Sequence, residues 1–310
     1  MRRWLALEVR VAGSGPEDTG ARPDGGAPVH RLSRELVAMG AGAVRVEGEV
    51  LLSHLPEPDD PEAFLLEARR RLEEAAPGAV SWVSWSWEPD RDWGEAWRRE
   101  LEPRRVGRRL VVAPGSSDPA LEPGDVPLVV DPGMAFGTGE HGSTRGVLRL
   151  LEDAVEAGDR VLDLGTGSGI LAVAAVRLGA RRVVALDVDA DALEVARRNL
   201  ERNGVADAVE LLRARADAPR LALLEPMRFD LVAANILARV LVPLLGPLRR
   251  LAASGGSVLL GGILEREAEE VLEAAREAGW RPAAEVVDEG WWSVRLDREP
   301  EETPPGPRPG

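Results

Sequence analysis

Cysteine is absent from this 310-residue chain, and so is lysine. Without cysteine there is no disulfide, thiolate nucleophile, zinc ribbon or iron–sulfur cluster. Histidine is scarce: His30, His54 and His141 are far apart in sequence, so no histidine-based metal site is expected. Long apolar runs are missing as well. In the opening MRRWLALEVRV, Glu8 and Arg10 interrupt the apolar residues, which leaves neither a signal-peptide core nor a membrane span. A cytoplasmic protein is the expectation. Positive charge is in deficit, with 39 basic residues against 53 acidic ones and a net charge of −14. Such a balance disfavours sequence-independent contact with nucleic-acid phosphates, which relies on clustered positive charge. Its long-range field favours encounter with a basic partner instead. The missing lysines fit GC-rich coding, which also favours the abundant Ala, Gly, Pro and Arg.

What is present divides into stretches of different period. Residues 4–11 (WLALEVRV) alternate as a half-buried strand does. A Gly/Pro/Asp-rich loop follows, then a helical stretch over 30–40, a hairpin over 43–53 turning near Glu47-Gly48, a helix started by Pro61, and a strand over 79–89. This β-α-β-β-α-β order predicts a ferredoxin-like α+β domain over 1–88. Residues 89–125 read as a connector with a short helix and a strand (RRLVVAP). From 126 to 298 strands and helices alternate, which implies a mostly parallel sheet covered on both faces. PLVVDPG, RVLDLG, RVVALDV, AVELLRA, FDLVAAN and SVLLGG are the candidate strands, and RPAAEVVDEG with WWSVRLD closes the sheet as an edge hairpin. Residues 299–310 (EPEETPPGPRPG) read as a disordered tail.

Chemistry concentrates at three strand ends. In VLDLGTGSGI (161–170) a strand leads into Gly165, Gly167 and Gly169. A dinucleotide fingerprint would place its third glycine at 170, which is Ile170. With Asp163 just before the loop, G-x-G-x-G suits S-adenosylmethionine better than a pyrophosphate. That ligand has no phosphate to cradle, and a carboxylate beside the loop can receive its amino group. Asp187 ends the next strand, where a carboxylate can accept hydrogen bonds from both ribose hydroxyls. The competing role is a helix cap, which Asp189 or Asp191 can also fill. Asp217, after the following strand, is a weaker candidate for the adenine edge or its loop. Asn235 ends FDLVAAN at the carboxyl edge of the sheet, either as the cap of the next helix or as an amide that holds an acceptor amine.

Together DPGMAFGTGEHGSTRGVLRLLE (131–152), VLDLGTGSGILAVAA (161–175) and NILARVLVPLLGPLRRLAASGGSVLLGGIL (235–264) resemble the PrmA family over nearly the full chain. The W…W…P-x-R-V-G connector at 93–107 belongs to the same pattern. The resemblance implies a seven-stranded, Rossmann-like class I methyltransferase sheet after the small α+β domain. It implies methylation of the eleventh protein of the large ribosomal subunit, on lysine side chains and the amino terminus, with S-adenosylmethionine as cofactor. The ribosomal protein is then the partner, free or on the ribosome, with no direct nucleic-acid contact and no membrane. Thr144, Gly165, Asp187 and Asn235 match the family's cofactor-binding positions. The chain departs from the pattern twice. It has Gly139-Glu140-His141-Gly142-Ser143-Thr144 where the family usually has G-T-H-P-T-T, and Gly262 before Ile263 where S-G-I-L is usual. Two other functions stay open: methylation of another protein lysine or a small amine, and a non-catalytic cofactor-binding assembly protein. Trp82, Trp85, Trp87, Trp93 and Trp97 read as core and inter-domain packing, with a substrate-docking surface as the alternative.

Overall fold

The structure, a computed structural model, describes residues 3–11, 28–41, 44–47, 49–58, 60–89, 103–115, 119–131, 139 and 141–298. The chain forms two compact units, one of residues 1–100 with 132–136 and one of residues 101–131 with 137–310. Trp93 and Trp97, Glu140 and most of the 131–140 motif, and the proposed 299–310 tail lie outside the described residues.

The first unit runs β1 (Arg3–Val11), α1 (Pro28–Ala38), β2 (Val44–Glu47), β3 (Val50–Pro56), α2 (Pro61–Ala75) and β4 (Val80–Pro89). Its antiparallel sheet has the order β2-β3-β1-β4, with the late strand β4 beside β1, as the split βαβ pattern requires. Alternation in β1 sends Leu5, Leu7, Val9 and Val11 into a core shared with Leu32 and Leu36 of α1 and Leu72 of α2. The start of α2 is local chemistry: Asp60 accepts a hydrogen bond from the Ala63 amide at 3.1 Å, and Pro61 occupies the first turn. Trp87 packs on this core, and its ring meets Trp85 edge-on at 5.9 Å. Trp82 and Trp85 stay 48% and 44% exposed.

In the second unit, β5 (Arg104–Arg105), β6 (Leu110–Pro114) and β7 (Val126–Val130) form a three-stranded sheet of their own. PLVVDPG was expected to join the main sheet; instead β7 pairs in parallel with β6. Then follow α3 (Gly142–Ala154), β8 (Arg160–Leu164), α4 (Ile170–Leu178), β9 (Arg182–Asp187), α5 (Ala190–Arg202), β10 (Val209–Arg213), α6 (Ala218–Leu224), β11 (Phe229–Asn235), α7 (Ala238–Leu241), α8 (Leu245–Leu251), β12 (Ala252–Leu264), α9 (Ala268–Glu277), β13 (Trp280–Asp288) and β14 (Trp291–Arg298).

The seven-stranded sheet has the order β10-β9-β8-β11-β12-β14-β13. Its first five strands are parallel, and β14 and β13 form the expected antiparallel hairpin at the edge. The central strands are apolar on both faces because helices cover both. Leu162, Leu164, Val232, Ala234 and Leu260 pack on one side with α6, α8 and α9; Val161, Ala185, Ala233 and Leu259 pack on the other with α3 and α4. From β8 the chain winds outward to β9 and β10, then returns to β11 on the opposite side. The carboxyl ends of β8 and β11 therefore flank the switch point where open α/β sheets bind ligands. No helix among the described residues is long and apolar enough to cross a membrane.

Candidate active site

Gly165, Gly167 and Gly169 leave β8 with φ of 71°, 55° and 81°, a region that L side chains rarely adopt. At Gly165 space matters too, since a Cβ would lie 2.5 Å from the Ile236 side chain. The amides of Gly165 and Thr166 donate to the Leu186 carbonyl, which ties the start of the loop to β9. Gly169 then caps the N-terminus of α4. The glycines are needed for the turn itself, and the turn holds backbone close to where a ligand would lie.

Asp163 is fully buried on β8, on the face shared with Val161, Ala185 and Ala233. Its Oδ2 accepts a hydrogen bond from the Thr166 hydroxyl at 2.6 Å, while its Oδ1 is buried with no partner among the described residues. Burial pushes its carboxyl up to about 7; the Thr166 hydrogen bond and the Ala172 backbone amide oppose this, and the negative charge of Asp187 adds to it. An orphaned acceptor of this kind is costly unless a donor reaches it.

Asp187 and Asp189 divide the two roles open to them. Asp189 is the N-cap of α5, accepting from the Asp191 amide. Asp187 is left at the strand end, half-buried. Its Oδ2 accepts the Gly167 amide at 3.0 Å and its Oδ1 the Asp189 amide at 3.0 Å. Each carboxylate oxygen has about two acceptor sites, so one remains on each for a pair of hydroxyls. Val188, which follows, is 58% exposed and offers an apolar surface next to that carboxylate. Asp217 is the N-cap of α6, and its Oδ1 accepts the Arg220 amide at 2.9 Å.

Asn235 does not cap a helix. The N-cap of α7 is Leu237, which makes no side-chain cap. The Asn235 amide nitrogen instead donates to the Thr144 hydroxyl at 3.3 Å, and Oδ1 is buried with no partner among the described residues. Thr144 is fully buried on the first turn of α3. β8, β11 and α3 thus bring Asp163, the glycine loop, Asn235 and Thr144 to one end of the sheet.

Sequence reasoning missed the lock that seats α3. Buried Arg145, next to Thr144, pairs through its guanidinium with Asp288 and with Glu289 at 3.0 Å, in the turn between β13 and β14. Burial would raise the Asp288 carboxyl, but the guanidinium groups of Arg145 and of Arg149, 2.9 Å away, hold it below the usual carboxylate range. The departure at Gly142 belongs to the same contact, because a Cβ there would lie 2.4 Å from the Asp288 carbonyl oxygen. His141 stacks edge-on against Trp291 at 4.7 Å. Burial, with help from the charge of Arg145 and against that of Asp288, pushes its imidazole down to about 4. At neutral pH it is an uncharged packing group. Among the described residues no cluster of His, Asp or Glu can hold a metal ion.

Comparison with known proteins gives one consistent result. A family model described as ribosomal protein L11 methyltransferase (PrmA) matches residues 33–299. A ribosomal protein L11 methyltransferase of Symbiobacterium thermophilum is 42% identical over 246 residues, covering 77% of this chain and 78% of the relative. One from Geobacter sulfurreducens is 49% identical over 209 residues, 67% of each chain. A solved ribosomal protein L11 methylase from Lactobacillus delbrueckii subsp. bulgaricus is 29% identical with a TM-score of 0.57, covering 64% of this chain and all of that one (100%).

Proposed function

The chain belongs to the ribosomal protein L11 methyltransferase (PrmA) family, and on that premise we propose that it transfers methyl groups from S-adenosylmethionine to amines of ribosomal protein L11, on lysine side chains and the amino terminus. The observation that carries the amine chemistry is Asn235, a strand-end amide whose oxygen has no partner among the described residues and whose nitrogen is anchored by Thr144.

The residues present fit the cofactor. The orphaned Asp163 Oδ1 is the acceptor an amino group needs, the loop at Gly165 has no room for a Cβ, and Asp187 keeps two acceptor sites for a ribose diol. Asp163, Gly165, Gly167, Asp187, Thr144 and Asn235 would hold it. Asp217 borders the adenine end in this reading, with one oxygen already engaged in the α6 cap. When bound, S-adenosylmethionine supplies an electrophilic methyl group on a sulfonium.

The protein's own task is alignment and exclusion of water. In-line attack needs the amine's lone pair aimed at the methyl carbon. Asn235 Oδ1 accepts one hydrogen of the neutral amine, the backbone carbonyl that follows takes another, and the lone pair is left pointing forward. A lysine starts near a pKa of about 10.4 and loses its proton more easily when buried beside a positive charge. His141, already neutral and packed on Trp291, is not assigned as a base, and the proton passes to solvent. A small-amine methyltransferase and a non-catalytic assembly protein are the alternatives. Transfer of labelled methyl groups to the ribosomal protein, with none to free amines, decides among the three. We place the reaction in the cytoplasm, where ribosomal proteins are available.

Two outcomes follow for the parts of this site. Asp187→Ala removes charge-assisted hydrogen bonds of roughly 1.5–3 kcal/mol, so calorimetry should show cofactor affinity falling at least about tenfold. Unchanged affinity would remove Asp187 from the site. Substrate choice is assigned to residues 1–88, because every cofactor position named above lies after Leu101. A fragment from Leu101 should bind cofactor yet fail to methylate the ribosomal protein, and full activity of that fragment would give the first unit another role.

A further inference from the structure

Two asparagines, Asn199 on α5 and Asn203 at its C-cap, form a structure that the cofactor reading does not use. The Asn199 side chain is completely buried. Its Oδ1 accepts the Asp131 amide at 2.8 Å, and its Nδ2 donates to the Asp131 carbonyl at 2.9 Å and the Ser168 carbonyl at 2.8 Å. One turn later, Asn203 Oδ1 accepts the Val129 amide at 3.0 Å, and its Nδ2 donates to the Val129 carbonyl and to the Asn199 carbonyl, both at 2.7 Å. The spacing explains the fit. Four helical residues rise about 6 Å and two strand residues about 6.6 Å, so side chains at 199 and 203 match alternate residues on one edge of β7. The two amides act as a short substitute strand along that edge.

Only Asn199 does more than hold β7. Ser168 lies inside the glycine loop, between Gly167 and Gly169, and Asn199 joins its carbonyl to the last described residue before the 132–140 motif. The loop is therefore gripped from two sides, by Asp187 on the Gly167 amide and by Asn199 on the Ser168 carbonyl. The helix is also close: a Cβ on Gly169 would lie 3.1 Å from that of Ala196. We infer that Asn199 is a positioning residue for the cofactor, fixing the glycine loop and the end of β7 in one register, and that Asn203, bonded to β7 and to the Asn199 backbone, does not reach that loop. This inference rests on the reading of the glycine loop as the S-adenosylmethionine site.

Asn203 is the built-in control. It is buried like Asn199 and makes the same kind of bonds to β7, but has no contact with the glycine loop. The test uses the full chain as wild type, Asn199→Ala, Asn199→Asp and Asn203→Ala, with calorimetric titration of S-adenosylmethionine and thermal melting on each. Both alanine variants should melt earlier. Only those at 199 should weaken cofactor binding, by roughly tenfold to a hundredfold for the loss of two donated bonds. Asn199→Asp adds a signature that lost stability cannot imitate. Its carboxylate repels the two carbonyls, whereas its protonated form restores one donor beside one acceptor. Relative to wild type at the same pH, its affinity should recover as pH falls. Wild-type affinity in both Asn199 variants, or equal weakening by Asn203→Ala, overturns the inference. If wild type itself fails to bind S-adenosylmethionine, the cofactor reading fails first and the inference falls with it.

Discussion

Replacing Asn235 with alanine should cut turnover by about a hundredfold, the scale on which lost alignment of reacting groups is felt, and barely change the melting temperature. The two readings of this residue predict different results. A helix cap replaced by alanine costs about 1 kcal/mol of stability and leaves chemistry alone. Leu237, not Asn235, occupies the cap position of α7, so that cost is not expected here. The cost falls on the amine, which loses the one side-chain acceptor that orients its hydrogens. Asn235→Asp keeps the shape but adds negative charge, which favours the protonated amine and should move the pH optimum upward. Turnover profiles from pH 6 to 10, with melting curves on both variants, check this. Normal turnover in both, with earlier melting in alanine alone, would make Asn235 structural.

Asp163→Asn should make the protein more stable and worse at binding its cofactor. A carboxyl at about 7 in the folded protein, well above the usual carboxylate range, prefers its neutral form when buried. The sign follows directly: the favourable contribution of the neutral acid is complete below pH about 4 and is lost as pH rises through about 7. Above that, the wild type carries a buried negative charge that the asparagine variant lacks. Against about 3.9 for a free aspartate this corresponds to about 4 kcal/mol, so urea unfolding at pH 8.5 should favour the variant by up to that amount. At pH 4 the two should agree. Cofactor affinity should run the other way: in wild type it tightens between pH 6 and 8 as Asp163 ionises, and in the variant it is weak and flat. A variant less stable than wild type at pH 8.5 would mean that the buried acid is paired by something other than the cofactor.

Much of this was readable from the chain, for reasons tied to particular residues. The central strands announced themselves because burial on both faces leaves runs such as VLDL and LVAA without polar alternation. Asp189 and Asp191 could both be recognised as cap candidates before a periodic helix, which freed Asp187 for another role, and the structure chose Asp189. The failures share one cause, dependence on contacts distant in sequence. VPLVV in β7 has the composition of a central strand, and only its pairing with β6 shows that it is not one. Asn199 and Asn203 sit in the polar stretch RRNLERNG and look like the solvent side of a helix, until β7 is placed against them. Asn235 precedes an apolar helical run and so resembles a cap, but α7 starts three residues later. Arg145 and Asp288, 143 positions apart, carry no shared signal.

The most direct test of the whole account is to incubate the purified protein with labelled S-adenosylmethionine and unmethylated ribosomal protein L11, then locate the label by mass spectrometry of peptides. The account predicts label on lysine ε-amines or the terminal α-amine of that protein, and almost none when Asn235→Ala replaces the wild type. Label on carboxylates, or equal labelling by the Asn235→Ala variant, would contradict it, as would no transfer by a wild-type protein shown to bind the cofactor.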